Sequence, residues 1–168
     1  GVDPVTAVTE VLQGVVEQGA LGVVVDIRPV TAREAVGAGD GGDISVVAAS
    51  AISMANGSNI SASSLGDGLA GNISIDAGKT FNMSDSSITT QAVVSDGGDI
   101  KVVATDMIYL DQSEITTSVE SGVGGGGNID IDPEFVILKQ SNILANAFGG
   151  PGGNINIVAG NFIATPDS

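Results

Sequence analysis

The chain contains no cysteine, no histidine and no tryptophan, and aromatic residues make up only 3% of it. Without cysteine there is no disulfide to staple the fold and no thiol to report the redox compartment; a secreted chain can equally do without either. Without histidine as well, the commonest general bases and nucleophiles of enzymes are missing. Basic residues are also scarce: five Lys and Arg stand against twenty Asp and Glu, for a net charge of −15. Such a surface repels a phosphate backbone, which argues against nucleic acid and anionic membrane surfaces as partners. No stretch reaches the roughly 18 apolar residues of a membrane span, and no charged-then-apolar signal segment opens the sequence.

What is abundant is glycine, 25 residues in a chain of 168, together with Val, Ile, Leu and Ala arranged in local alternation. That ordering argues against disorder, because low-complexity polar chains lack it. A length of 168 residues suits one domain.

One hexapeptide recurs. Its copies are GGDISV (41–46), AGNISI (70–75), GGDIKV (97–102), GGNIDI (126–131) and GGNINI (152–157). The steps between their second glycines, Gly42, Gly71, Gly98, Gly127 and Gly153, are 29, 27, 29 and 26 residues. A period in this range signals a repeat architecture.

The likeness runs on through each unit. Ten residues after the second glycine stand Ile52, Phe81, Ile108 and Ile163, with Val136 at nine after a loss near Pro133. Two residues beyond come Met54, Met83, Leu110 and Leu138. A Ser-x-Ile triplet follows at 58–60, 86–88, 113–115 and 141–143, and then Ala62, Thr90, Thr117 or Ala145. Each unit thus has three segments with apolar residues at i and i+2, which a strand places on one face. The sequence predicts an all-β, right-handed parallel β-helix with three short strands per coil and about 26–29 residues per coil. Residues 40–168 would form four full coils and a partial fifth.

In such a stack Ile44, Ile73, Ile100, Ile129 and Ile155 lie above one another, each worth roughly 1.5–3 kcal/mol when wholly buried. Asp43, Asn72, Asp99, Asn128 and Asn154 form a second column, able to hydrogen-bond along the stack, in which the two aspartates should repel unless water, a cation or the intervening Asn72 relieves them. The hexapeptide glycines are expected to supply positive φ at the corner.

Residues 1–39 hold no copy of the repeat. DPVTAVTEVLQGVVEQG reads as a helix with Asp3 as N-cap, Pro4 in the first turn, Gly19 as the stop and Val8, Val11, Leu12, Val15 and Val16 on one face. LGVVVDIRPV reads as a short strand ended by Pro29. This segment is expected to cap one end of the solenoid, where open strand edges would otherwise recruit another chain.

The run GGNIxI, the later GSNISA or SSITT and the Gly-rich closure resemble the repeat region of filamentous-haemagglutinin-like exoproteins, especially the cyanobacterial ones. The resemblance covers about residues 40–168. It implies a bacterial, secreted or cell-surface β-helix of adhesin type.

Chemistry is harder to find in the residues. Asp130 and Asp132 are an i, i+2 carboxylate pair, the kind of arrangement a retaining glycosidase needs at about 5 Å, but they flank the turn at Pro133 and read as solvated charge. A non-enzymatic chain without a cofactor is expected. GDGGD (39–43) and SDGGD (95–99) gather oxygen donors, which makes Asp40, Asp43, Asp96 and Asp99 candidate Ca²⁺ ligands. Neither the EF-hand loop nor the calcium β-roll nonapeptide is present, and turn chemistry accounts for the same residues. The expected function is structural: an extracellular solenoid that stacks head-to-tail on itself through its open end. The alternative is a carbohydrate- or Ca²⁺-binding surface module, using corner loops at 64–70, 92–97, 119–126 and 146–152 to hold a cation or a cell-surface glycan.

Overall fold

A computed structural model describes residues 15–19, 22–27 and 39–168. Sixteen strands form three sheets. Two precede the repeats: β1 (Val15–Gly19) and β2 (Gly22–Ile27). The first coil holds β3 (Ile44–Val47), β4 (Ala51–Met54) and β5 (Asn59–Ser64). The second holds β6 (Ile73–Asp76), β7 (Thr80–Ser84) and β8 (Ser87–Ala92). The third holds β9 (Ile100–Val103), β10 (Met107–Asp111) and β11 (Glu114–Val119). The fourth holds β12 (Ile129–Asp132), β13 (Phe135–Lys139) and β14 (Asn142–Ala147). The fifth has only β15 (Ile155–Ile157) and β16 (Asn161–Ala164).

Every strand of a coil pairs in parallel with its counterpart in the next coil, so each of the three sheets runs along the stack. The chain is therefore a parallel β-solenoid of four three-stranded coils and a two-stranded fifth, as the repeat predicts. The isoleucine column is in register from Ile44 through Ile73, Ile100 and Ile129 to Ile155. Its buried members Ile73, Ile100 and Ile129, with Ile44 partly buried against them, pack into one central core with Ile52, Phe81, Ile108 and Val136 from the second sheet and Ile60, Ile88 and Ile115 from the third.

Three expectations need correction. The last column of the second sheet is taken by Phe162, not Ile163: Phe162 pairs with Val136, and Ile163 pairs with the outward Ile137. The fifth coil has the same one-residue loss as the fourth, so both count nine residues from the glycine and not ten.

The second correction concerns the N-terminal helix. Residues 15–19 form β1, antiparallel to β2, and no helix occurs among the described residues. Val15 and Val16 favour a strand, and β2 offers an edge whose backbone groups would otherwise lack partners. The rest of the predicted helix lies outside the described residues. The predicted strand is present as β2, which extends the second sheet by pairing in parallel with β4.

The third concerns glycine. Among the described glycines, positive φ falls at Gly57, Gly78 and Gly122, none of them in the hexapeptide. The hexapeptide needs glycine for close approach. A Cβ on Gly71, Gly98, Gly127 or Gly153 would stand 1.9–2.3 Å from the carbonyl oxygen of the equivalent glycine one coil earlier. The first glycine of the motif is less confined, and Ala70 occupies that place in the second coil.

Candidate functional site

The predicted Asx column exists and has a direction. In each step a side-chain Oδ1 accepts the backbone N–H of its counterpart in the next coil. Asn72 donates to Asp43 at 2.8 Å, Asp99 to Asn72 at 2.9 Å, Asn128 to Asp99 at 2.7 Å and Asn154 to Asn128 at 3.1 Å. The Asn72 and Asn128 amides also donate to Asp43 and Asp99 at 3.1 Å. Asn72 thus separates the two aspartates and binds both.

Asp40 and Asp96 do the same work three residues earlier, accepting the N–H of Leu69 at 2.8 Å and of Gly125 at 2.7 Å. The four candidate Ca²⁺ ligands therefore fall into two pairs, Asp40 with Asp43 and Asp96 with Asp99. The pairs lie two coils apart, roughly 9.6 Å along the stack. Each carboxylate spends an oxygen on backbone, and no group of three or more acidic residues positioned for a metal is found among the described residues. Asp99→Asn keeps the acceptor and is expected to leave stability within about 0.5 kcal/mol of the parent, whereas Asp99→Ala removes it and costs about 1 kcal/mol. If the ladder is the reason for these aspartates, thermal unfolding will be the same with and without millimolar Ca²⁺. A Ca²⁺-dependent rise in Tm that Asp99→Asn abolishes would instead assign them to a cation.

The Ser-x-Ile triplet carries a second ladder, inside the wall. The Ser113 hydroxyl donates to the Asp111 carbonyl at 2.7 Å and accepts the Ser86 N–H at 3.3 Å. Ser141 repeats this with the Lys139 carbonyl at 2.9 Å and the Ser113 N–H at 3.1 Å, and Ser168 receives the Ser141 N–H at 3.3 Å. A hydroxyl is the small group that can both donate and accept here. Two buried threonines clamp the other corner: Thr90 donates to the Gly98 carbonyl at 2.6 Å and Thr117 to that of Gly127 at 2.7 Å. The triplet's spacing marks this serine in the sequence, but its partners lie a coil away and cannot be read there. Ser113→Ala strands the buried Ser86 N–H, so chemical denaturation should show a loss of about 1–3 kcal/mol.

Between the second and third sheets the chain turns through residues with positive φ: Asn56 (59°), Asp85 (46°), Gln112 (50°) and Gln140 (49°). Asn and Asp tolerate that region; glutamine does so less readily. Their backbones stay in the coil-to-coil ladder, with Asp85 N–H donating to the Asp111 carbonyl at 3.0 Å and Gln112 N–H to that of Lys139 at 2.9 Å. A shallow polar groove of about 460 Å³ runs along this corner, with Asp85, Gln112, Glu114 and Gln140 on its rims and buried Ser86 and Ser113 between them. A second, of about 400 Å³, lies where the first sheet meets the second, beside Asp132, Pro133 and Glu134.

Asp130 and Asp132 both face outward from β12, as their spacing predicts. Asp130 accepts an amide hydrogen bond from Asn156 at 3.1 Å and lies in register with Lys101. On the second sheet's outer face, Lys139 Nζ meets Asp111 Oδ2 at 2.9 Å, and the Tyr109 hydroxyl reaches the same oxygen at 3.2 Å. The Lys139 hydrogen bond, with a smaller one from Tyr109, holds the Asp111 carboxyl below the usual carboxylate value against the opposing effect of burial. Asp111 also holds Lys139 above the usual lysine value. Because the Asp111 value is depressed on folding, the pair's stabilisation is complete above the ordinary carboxylate range and is lost as pH falls through the folded value. In Lys139→Met, NMR titration should show Asp111 moving up towards the ordinary value.

No protein-family model matches the chain, and neither a curated protein nor a solved structure matches it. No helix among the described residues is long and apolar enough to cross a membrane.

Proposed function

We propose that this chain is a non-enzymatic structural module of the bacterial extracellular surface, of the adhesin type that its repeats resemble. It acts as a stiff, acidic rod. The reading rests above all on the Asx ladder, which runs unbroken from Asp43 to Asn154 and ties every coil to the next with a side chain as well as with backbone. Serine hydroxyls add further coil-to-coil ties at the corner between the second and third sheets, and threonine hydroxyls clamp the corner that carries the Asx ladder. Repeats that contact only their neighbours gain rigidity when each interface is fully satisfied.

On this reading the rod also stacks end to end. The last coil leaves Ile155 and Phe162 about half exposed where their counterparts in the middle coils are fully buried. A further coil, supplied by a second copy, would cover both and pair with the free edges of β15 and β16, a heterologous contact that propagates into a fibre. Electron microscopy of the concentrated protein should show filaments one solenoid wide; monodisperse short particles at every concentration and salt would remove the stacking part. Incubation with a polysaccharide panel should yield neither reducing ends nor unsaturated products, and either product would overturn the non-enzymatic reading.

A further inference from the structure

We propose that the outer face of the second sheet, over the third to fifth coils, binds a neutral glycan chain. Outward positions do nothing for the core, so their composition is free to serve something else. In the first two coils they are small or polar, with Ala51 and Ser53 followed by Thr80 and Asn82. In the next two they become Met107 and Tyr109, then Phe135 and Ile137, paired side by side across β10 and β13. Ile163 continues the strip. Phe135 is 42% exposed and Ile163 56%. A chain that is only 3% aromatic thus places its one tyrosine and an exposed phenylalanine on a single flat face.

The strip is preorganised. The Tyr109 hydroxyl donates to Asp111, two residues along on the same face, so the ring lies along the strand, and Lys139 fixes Asp111 in turn. Holding the platform still lowers the entropic cost of binding. Polar groups frame it, with Asn82 and Asn161 at either end in register with Tyr109 and Phe135.

Size and charge decide the occupant. Phe135 and Ile163 are about half exposed and Met107, Tyr109 and Ile137 less so; together they offer on the order of 300 Å² of apolar surface, less than half of what one partner brings to a standard protein interface. A second copy of this chain would need more. Anionic polymers are repelled by the net charge of −15. A pyranose presents one apolar C–H face ringed by hydroxyls, which matches an apolar strip with an amide, carboxylate and ammonium rim. The strip spans two coil steps, roughly 9.6 Å, enough for a short run of linked rings. This inference does not depend on end-to-end stacking.

Tyr109 is the only tyrosine and there is no tryptophan, so intrinsic fluorescence reports on this face directly. Titration with cello-, chito-, laminari- and mannohexaose, and depletion onto amorphous cellulose and chitin, should give saturable binding to at least one. Phe135→Ala should weaken it roughly tenfold, and Tyr109→Ser should do so in the depletion assay, both with unchanged circular dichroism. Phe148→Ala, an exposed loop residue away from the strip, should bind like the parent. If Phe135→Ala perturbs the fold, Phe135→Gln replaces it. No binding across the panel, or equal binding by the Phe135 variant, overturns the proposal. So does concentration-dependent dimerisation that Phe135→Ala abolishes, which would give the face to a second copy.

Discussion

Gly98→Ala is expected to destabilise the solenoid by at least about 3 kcal/mol, or to prevent folding of the central coils. The new methyl carbon would sit 1.9 Å from the carbonyl oxygen of Gly71 and 3.2 Å from that of Ala70. Both obstacles are backbone, so no rotamer change relieves the clash. Relief requires the third coil to lift away from the second. That lift stretches the Asp99 N–H to Asn72 bond and breaks the register of Ile100 on Ile73. Gly42→Ala is the matched control, since a Cβ there meets nothing within 4 Å among the described residues. Urea unfolding of the two variants should differ by the whole effect. If Gly98→Ala melts with the parent, close approach is not why the motif keeps its second glycine.

Phe81→Ala should cost about 3–5 kcal/mol. Its ring is fully buried between Ile52 and Ile108, in the largest side-chain volume of the core. The cavity left behind could close only if three coils moved together, and the in-register ladders on either side oppose that. Phe162→Ala removes the same side chain from the same column at its far end, where the ring is 52% exposed. There the loss should be nearer 1 kcal/mol, the transfer of half a side chain. Circular dichroism melts of the pair test whether the column is one cooperative core. Equal losses at both positions would mean that it is not.

The two comparisons mark where sequence reasoning reached and where it stopped. The column containing Phe81 was legible because apolar residues at i and i+2 recur at a near-constant period, and a strand has only two faces. It slipped by one residue at Phe162, where the fifth coil is a residue shorter and Phe162 and Ile163 are both apolar. The glycines were legible as a motif but not in their reason, since positive φ and close approach leave the same letter. The N-terminal segment misled through valines whose spacing fits a helical stripe, while β2 supplied a pairing edge that local periodicity does not contain.

The candidate sites divide in the same way. Asp40, Asp43, Asp96 and Asp99 stand out in the sequence as oxygen donors among glycines, but what they bind is a backbone N–H about 29 residues on. The apolar strip on the second sheet was invisible, because Met107, Tyr109, Phe135 and Ile137 lie in separate repeats and alternate with core residues.

By itself, then, the sequence determined the repeat, the parallel strands, the inward faces and the isoleucine and Asx columns, because each follows from short-range alternation multiplied by a period. Only the tertiary structure decided why glycine stands at the corner, what the serine hydroxyls satisfy and which side chains meet on the outer face. Those depend on atoms one full coil apart, which come within bonding or clashing distance only when the coils stack at the spacing of paired strands.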